Sequence, residues 1–342
     1  MRNHIRFSEI LLFCLLLLCV MILCLCLGSV SIPLSDIFSI LRDKLLGQTP
    51  AGTFASILLS VRLPRILCVS LCGAALSLSG AAMQGLLKNP LADGSTLGVS
   101  SGASLGAVIA MAANLSIPGI PYGGTMITAM LFAFLSLLLI LSLAYVLDRS
   151  LATHSIILIG VIFSMFSSSL MSLIIPFAGE KIRSITFWTM GSLAGSNMTY
   201  AGLMALALLL CSPVLLSRAE ELNAFAVSEE NARNIGVNIR KTRLEVLISV
   251  SILIGVCVSI GGTISFVGLV TPHITRMIIG PNHRRLLPAS LFSGAVFLLL
   301  ADLISRTLLS PIELPIGVVT SLVGAVLFIL IFYQTRKGSS AC

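Results

Sequence analysis

Long apolar runs separated by short polar breaks fill most of the chain. Residues 10–28 carry no charge, and comparable runs follow at 66–84, 95–113, 125–147, 156–177, 198–216, 244–260, 261–276 (a glycine-rich turn and a short helix), 289–303 and 313–333. None alternates with a period of two, and most lack a polar stripe of helical period. Helices apolar all round are buried in lipid or in protein. The pattern predicts ten membrane-crossing helices, the eighth and ninth shorter than a bilayer asks. Asn89-Pro90 ends the second, because the residue before proline is pushed out of the α region. Within the third, Gly98, Gly102 and Gly106 recur every four residues, a spacing that lets a neighbouring helix approach closely. Between the first two spans, Ser35 and Asp36 can start a surface helix with Ile37, Phe38, Leu41 and Leu45 on one face.

One stretch breaks the pattern. Residues 217–243 hold nine of the chain's 34 formally charged side chains. Leu222, Phe225 and Ala226 give a small apolar face at i, i+3, i+4. Ser228 can cap a second short helix with Glu229 and Glu230 in its first turn, Arg233 four residues after Glu229, and Gly236 closing it. Composition alone reads this segment as a solvated loop between two membrane halves. The sharper reading is a docking surface for a cytosolic partner.

Composition strengthens the membrane assignment. Hydrophobic residues make up 57% of 342 and charged residues 10%, with mean hydropathy +1.08. A soluble protein of this length could not hide so much apolar surface. Eight of nine cysteines lie in apolar runs and act there as small hydrophobes, and none has metal-ligand spacing. The net charge of +8 lacks a basic soluble domain with interleaved aromatics, so nucleic acid is not expected. With both termini inside, 14 Lys and Arg fall on inner segments and seven outside, as the positive-inside rule requires. The whole of 1–342 reads as one all-α integral membrane domain.

The chain carries no phosphate-cradling G-x-x-x-x-G-K-[ST], no H-E-x-x-H and no G-x-S-x-G, so neither catalytic residues nor a metal site are expected. His154 and His273 are isolated. Gradient-driven carriers place a carboxylate deep in a helix, but every acid here lies near a predicted helix end. Asp302 comes closest to breaking that rule, and Arg306 one turn on can pair with it. Such a carrier remains the alternative, with a receptor or scaffold that moves nothing as a third class. A pore with no energy source of its own needs a motor elsewhere, and 217–243 is where one would attach.

RLPR (62–65), GAALSLSGAAMQGLLKNPLAD (73–93), LGVSSGASLGAV (97–108), WTMGSLAG (188–195), LNAFAVSEENARNIGVN (222–238), SFVGLVTPHITRMIIGPNHRRLLPAS (265–290), ADLISRTL (301–308) and ELPIGVVTSLVGA (313–325) together resemble the permease subunit of ATP-binding cassette importers for ferric siderophores, haem and cobalamin. The resemblance implies the type II importer permease fold: ten helices, both termini cytoplasmic, a dimer around one pathway in the inner membrane of a bacterium. It implies two ATPase subunits carrying ATP and Mg, a second permease subunit (a copy or a paralogue), an extracytoplasmic solute-binding protein, and no cofactor on this chain. The coupling helices would lie in 222–237, with Leu222, Asn223, Phe225, Glu229, Glu230, Arg233 and Gly236. Arg62, Arg65 and Arg306 match external arginines that receive glutamates of the binding protein; guanidinium grips carboxylate with two parallel hydrogen bonds. Asn89, Pro90, Leu91, Thr153 and His154 would form inner gating turns, although SLATHS (150–155) departs from a more hydroxyl-rich pattern. Gly261 and Gly262 would let helices pack beside the pathway. SNMTY after WTMGSLAG lacks a second Trp, which implies a differently shaped outer rim.

Overall fold

A computed structural model of the chain describes residues 6–48, 50, 52–117, 123–147 and 153–339. Arg2, His4, the 118–122 part of the first outer turn, Asp148-Arg149 and the 150–152 part of the SLATHS turn lie outside them. The described residues form α1 (Phe7–Cys26), α2 (Leu34–Leu45), α3 (Thr53–Leu87), α4 (Val99–Ala112), α5 (Gly123–Leu147), α6 (Thr153–Ile174), α7 (Ile182–Thr189), α8 (Met198–Ser217), α9 (Ala219–Val227), α10 (Glu229–Asn234), α11 (Ile239–Gly261), α12 (Val267–Ile279), α13 (His283–Thr307) and α14 (Ile316–Ser339). Seven of them are long and apolar enough to cross a membrane, and three shorter apolar helices (α4, α12 and α14) complete the ten expected.

The centre of the bundle is α3. It packs against α13, α12, α11 and α8, and α13 makes the most extensive of these contacts. The reason lies in its sequence, which puts Gly, Ala or Ser on every side between Gly73 and Gly85. A methyl group on Gly73 would strike the Gly294 carbonyl of α13, and one on Gly80 the Gly268 carbonyl of α12. Close backbone approach of this kind drives helix association where water supplies no hydrophobic push. By contrast, α1 and α5 turn most of their leucines and phenylalanines outward, toward what would be lipid.

Several boundaries differ from the sequence pattern, each for a local reason. RLPR lies inside α3, not before it. A wider turn over Ile57–Arg62 joins it to the preceding residues and keeps Leu58 and Arg62 both inward. Gly98 is not in the interior of the third span; it caps α4 with φ +70. Asn282 accepts the Arg284 N–H at 3.0 Å and starts α13 six residues before the expected 289, so the ninth span is long rather than short. Asn238 does the same for α11 through Lys241. On α2 the inward residues are Ile37 and Ile40, whereas Phe38 and Leu45 face out, which corrects half of the expected face.

Candidate functional site: an inner platform and an outer charged cluster

The polar segment folds as the short pair α9 and α10, joined at Ser228. That residue's hydroxyl accepts the Asn231 N–H at 2.9 Å and caps α10. Gly236 then ends α10 at φ +88, with Gly236 N–H on the Arg233 carbonyl and Val237 N–H on that of Ala232, a left-handed helix cap. Leu222 and Phe225 are buried, as the spacing predicts, but Ala226 is exposed and Ala219 takes the third inward place. The expected Glu229–Arg233 pair does not form. Glu229 reaches Arg243 on α11 at 2.6 Å, leaving Arg233 and Glu230 outward beside the exposed Val227 and Ile235. Asn223 also faces in: its amide donates to Asn282 Oδ1 at 2.9 Å, and its Oδ1 accepts the His283 backbone N–H at 2.8 Å.

Further ion pairs pin this platform to the bundle. Arg218 bridges Glu221 at 2.8 Å and Glu245 at 2.6 Å, and Arg284 pairs with Glu220. The hydrogen bond to Glu221 raises Arg218 above its already high ordinary value; partial desolvation opposes this and the Glu245 charge adds to it. Arg285 meets Glu9 of α1 at 2.8 Å.

Of the expected gating turns, Lys88 leaves α3 in the left-handed region, and Asn89 Oδ1 accepts the Leu91 N–H at 2.9 Å, shaping the Asn89-Pro90-Leu91 turn with Leu91 exposed. Thr153 is the first residue of α6, and His154 is exposed beside it. Gly102 and Gly106 face α5, where added methyls would meet Ser136 and the Thr128 carbonyl. Gly261 packs on Leu193, and Gly262, at φ +68, lies against the Trp188 carbonyl.

By the charge bias, the α1, α3 and α13 ends near residues 26, 62 and 306 are the outer ones. The three arginines expected to face a partner meet there, but they are only 4–6% exposed. Arg62 donates to the Leu25 and Cys26 carbonyls at 2.5 and 3.2 Å, satisfying the orphan acceptors at the end of α1. Arg65 holds the fully buried Asp302 at 3.0 Å and grips Glu313 with one guanidinium nitrogen at 2.9 and 3.1 Å. Arg306 approaches Asp302 Oδ2 at 2.9 Å, an ion pair without hydrogen-bond alignment. The four-residue spacing places Arg306 beside Asp302, whereas Glu313 returns to Arg65 through a turn that no local pattern encodes.

A cavity of about 220 Å³ lies between α3, α4, α6, α11 and the 262–266 break. Ser100, Ser101, Ser104, Ser168, Thr263 and Ser265 supply hydroxyls to its wall, which includes Asp93 and no Lys, Arg or His.

The chain is similar in sequence to permease proteins of ABC transporters and in fold to a solved one. The chain is 41% identical to an uncharacterised ABC transporter permease protein of Bacillus subtilis, over 91% of this chain and 89% of the relative. It is 37% identical to the molybdate import system permease protein of Haemophilus influenzae, over 91% of each, and 36% identical to the hemin transport system permease protein of Yersinia pestis, over 82% of this chain and 84% of the relative. A solved metal-chelate type ABC transporter in an inward-facing conformation superposes with a TM-score of 0.83 at 34% identity, covering 96% of this chain and all of that one. The family model of the FecCD transport family matches residues 15–334. Ten helices around a small-residue α3, with a charged platform between the sixth and seventh spans, are thus the frame of a known class of pore, and the chain belongs to the FecCD transport family as a permease subunit of an ABC importer.

Proposed function

We propose that this chain forms, with a second permease subunit, the pathway by which an iron chelate (a ferric siderophore, haem or cobalamin) crosses the inner membrane of a bacterium. A separate ATPase powers it and an extracytoplasmic binding protein feeds it. The observation that carries the reading is the platform. Its inward face is fastened by Leu222, Phe225, Asn223 and Glu229, while Val227, Glu230, Arg233 and Ile235 stand free on the other side. An apolar pair flanked by opposite charges suits a groove on a protein partner better than water. At the outer end, Glu313 is still half-exposed while it grips Arg65, so a carboxylate of the binding protein can replace it there. For cargo, the support for a chelate is the likeness to the hemin transport permease and to the metal-chelate type transporter.

Mild-detergent purification of the tagged chain tests the reading. An ABC ATPase is expected at one per permease, and Glu230→Ala, Arg233→Ala and Ile235→Ala together should release it without unfolding the chain. A folded chain that elutes alone would refute the platform's role. In vesicles, uptake of a ferric chelate that survives an uncoupler and stops without ATP is expected, and uptake of molybdate alone would overturn the cargo assignment.

A further inference from the structure

One helix touches both ends of this machinery. At its inner end, α13 begins under α9. Asn223 Oδ1 accepts both the backbone N–H of His283, at 2.8 Å, and the imidazole Nδ1, at 2.9 Å. A carboxamide oxygen can only accept, so the ring must carry its proton on Nδ1. The Asn223 amide donates in turn to Asn282 Oδ1, which also accepts the Arg284 N–H and thereby caps α13. Beyond the imidazole lies Gly85, near the inner end of α3, so close that an added methyl would strike Nε2. His283 is 3% exposed, and three helices meet on it.

From that joint α13 runs unbroken through Pro288 to Thr307. Asp302 stands nineteen residues after His283, roughly 29 Å along a helix, about the thickness of a bilayer core. There Asp302 and Arg306 lock α13 to Arg65 of α3 and to the Cys24 carbonyl of α1, and Leu314 N–H on the Ser305 carbonyl ties down the turn toward α14. Helices are stiff along their axes, and a hydrogen-bonded clamp at each end converts a displacement of one into a displacement of the other.

Resting on the importer reading, we infer that α13 is the strut by which movement of the α9–α10 platform reaches the outer charged cluster, and that Asn223 and His283 are the positioning residues of its inner joint. They touch neither cargo nor nucleotide. Their work is to keep the platform and the start of α13 moving as one.

The test uses the complete importer, this chain with its ATPase, in lipid nanodiscs. Amide hydrogen exchange over residues 305–316 is compared without nucleotide and with ATP plus vanadate. In the wild type, trapping should change the outer-turn exchange rate several-fold. His283→Leu should abolish that response while the ATPase stays bound and still traps nucleotide. His283→Gln, which keeps an N–H for Asn223, should restore most of it, a rescue that a purely structural role would not give. Asn223→Ala should behave like His283→Leu. If His283→Leu or Asn223→Ala responds as fully as wild type, the strut is refuted. If the ATPase binds and traps nucleotide but the wild-type outer turn does not respond, the strut is refuted while the importer reading stands. Should Asn223→Ala shed the ATPase, the His283 pair decides: equal responses from Gln and Leu overturn the proposal. A wild-type chain that binds no ATPase would instead remove the importer reading beneath it.

Discussion

Removing the carboxylate of Asp302 should be among the most damaging single changes outside the glycine contacts. Asp302 is fully buried, with Arg65 at 3.0 Å on one oxygen and Arg306 at 2.9 Å on the other. Asp302→Ala leaves two nearly buried guanidiniums without their shared counter-charge. Deleting one partner of a buried pair costs about 3–5 kcal/mol, because the remaining charge is stranded rather than because the pair itself is strong. Taking about 4 kcal/mol, the ratio of folded to unfolded protein falls on the order of a thousandfold. Glu313→Gln offers the control: its side chain is 43% exposed and its ion pair is screened by water, so the loss should stay below about 1 kcal/mol. A third variant separates stranding from attraction. Arg65→Met, Asp302→Leu and Arg306→Leu together remove all three charges at similar volume, and should cost much less than Asp302→Ala alone. Reversible unfolding in mixed micelles of a mild detergent and dodecyl sulfate, followed by circular dichroism, gives all three values. The reasoning fails if Asp302→Ala costs no more than Glu313→Gln, or if the triple variant is as unstable as the single one.

Other contacts make equally direct predictions. Gly80→Val should prevent accumulation of folded protein, since the new side chain runs into the Gly268 backbone, whereas Gly202→Val, with no atom within 4 Å of the new Cβ, should express normally. Ser228→Ala and Gly236→Ala should each destabilise the platform by about 1 kcal/mol, the first through a lost cap and the second through a left-handed φ of +88, read as faster amide exchange over 219–237. Phe225→Ala should cost about 3–5 kcal/mol as a core cavity, while Val227→Ala, 72% exposed, should leave stability within about 0.5 kcal/mol and weaken ATPase retention.

The number and order of spans were legible because most apolar runs are close to one bilayer long and polar breaks separate them. The ends were less legible. Residues 281–288, with two prolines and three basic or imidazole side chains, read as a loop, yet Asn282 caps a helix there and Pro288 falls inside its second turn, where α13 continues without a break. The platform's two helices, its Ser228 cap and its Gly236 stop could be read locally, since all three depend on neighbours within four residues. Glu229 could not: its partner Arg243 is fourteen residues on, brought close by the turn at Val237 and Asn238. The same limit hid the fate of the outer arginines. The sequence places Arg62 and Arg65 just before an apolar run, but does not show that the helix already runs through them, that the end of α1 arrives beneath one or that Glu313 lies beside the other. Gly73 and Gly80, by contrast, did carry a readable signal, a seven-residue small-residue repeat that the spacing of Gly98, Gly102 and Gly106 overshadowed.

Those two glycines have a mechanical meaning. At Gly73 and Gly80, two turns apart on one side of α3, the neighbours α13 and α12 rest backbone upon backbone. Interlocked side chains act as teeth: for one helix to slip along another, rotamers must unlatch and re-engage. Bare peptide surfaces have no teeth. At these two bearings no side-chain teeth oppose a shear of α12 or α13 along α3, so on the proposed importer reading the resistance to sliding of α13 lies in its end clamps, Arg65 on Asp302 outside and His283 against Gly85 inside. A branched side chain at either seat would jam the bearing as well as widen it, and so would slow the pore even in a variant that still folds.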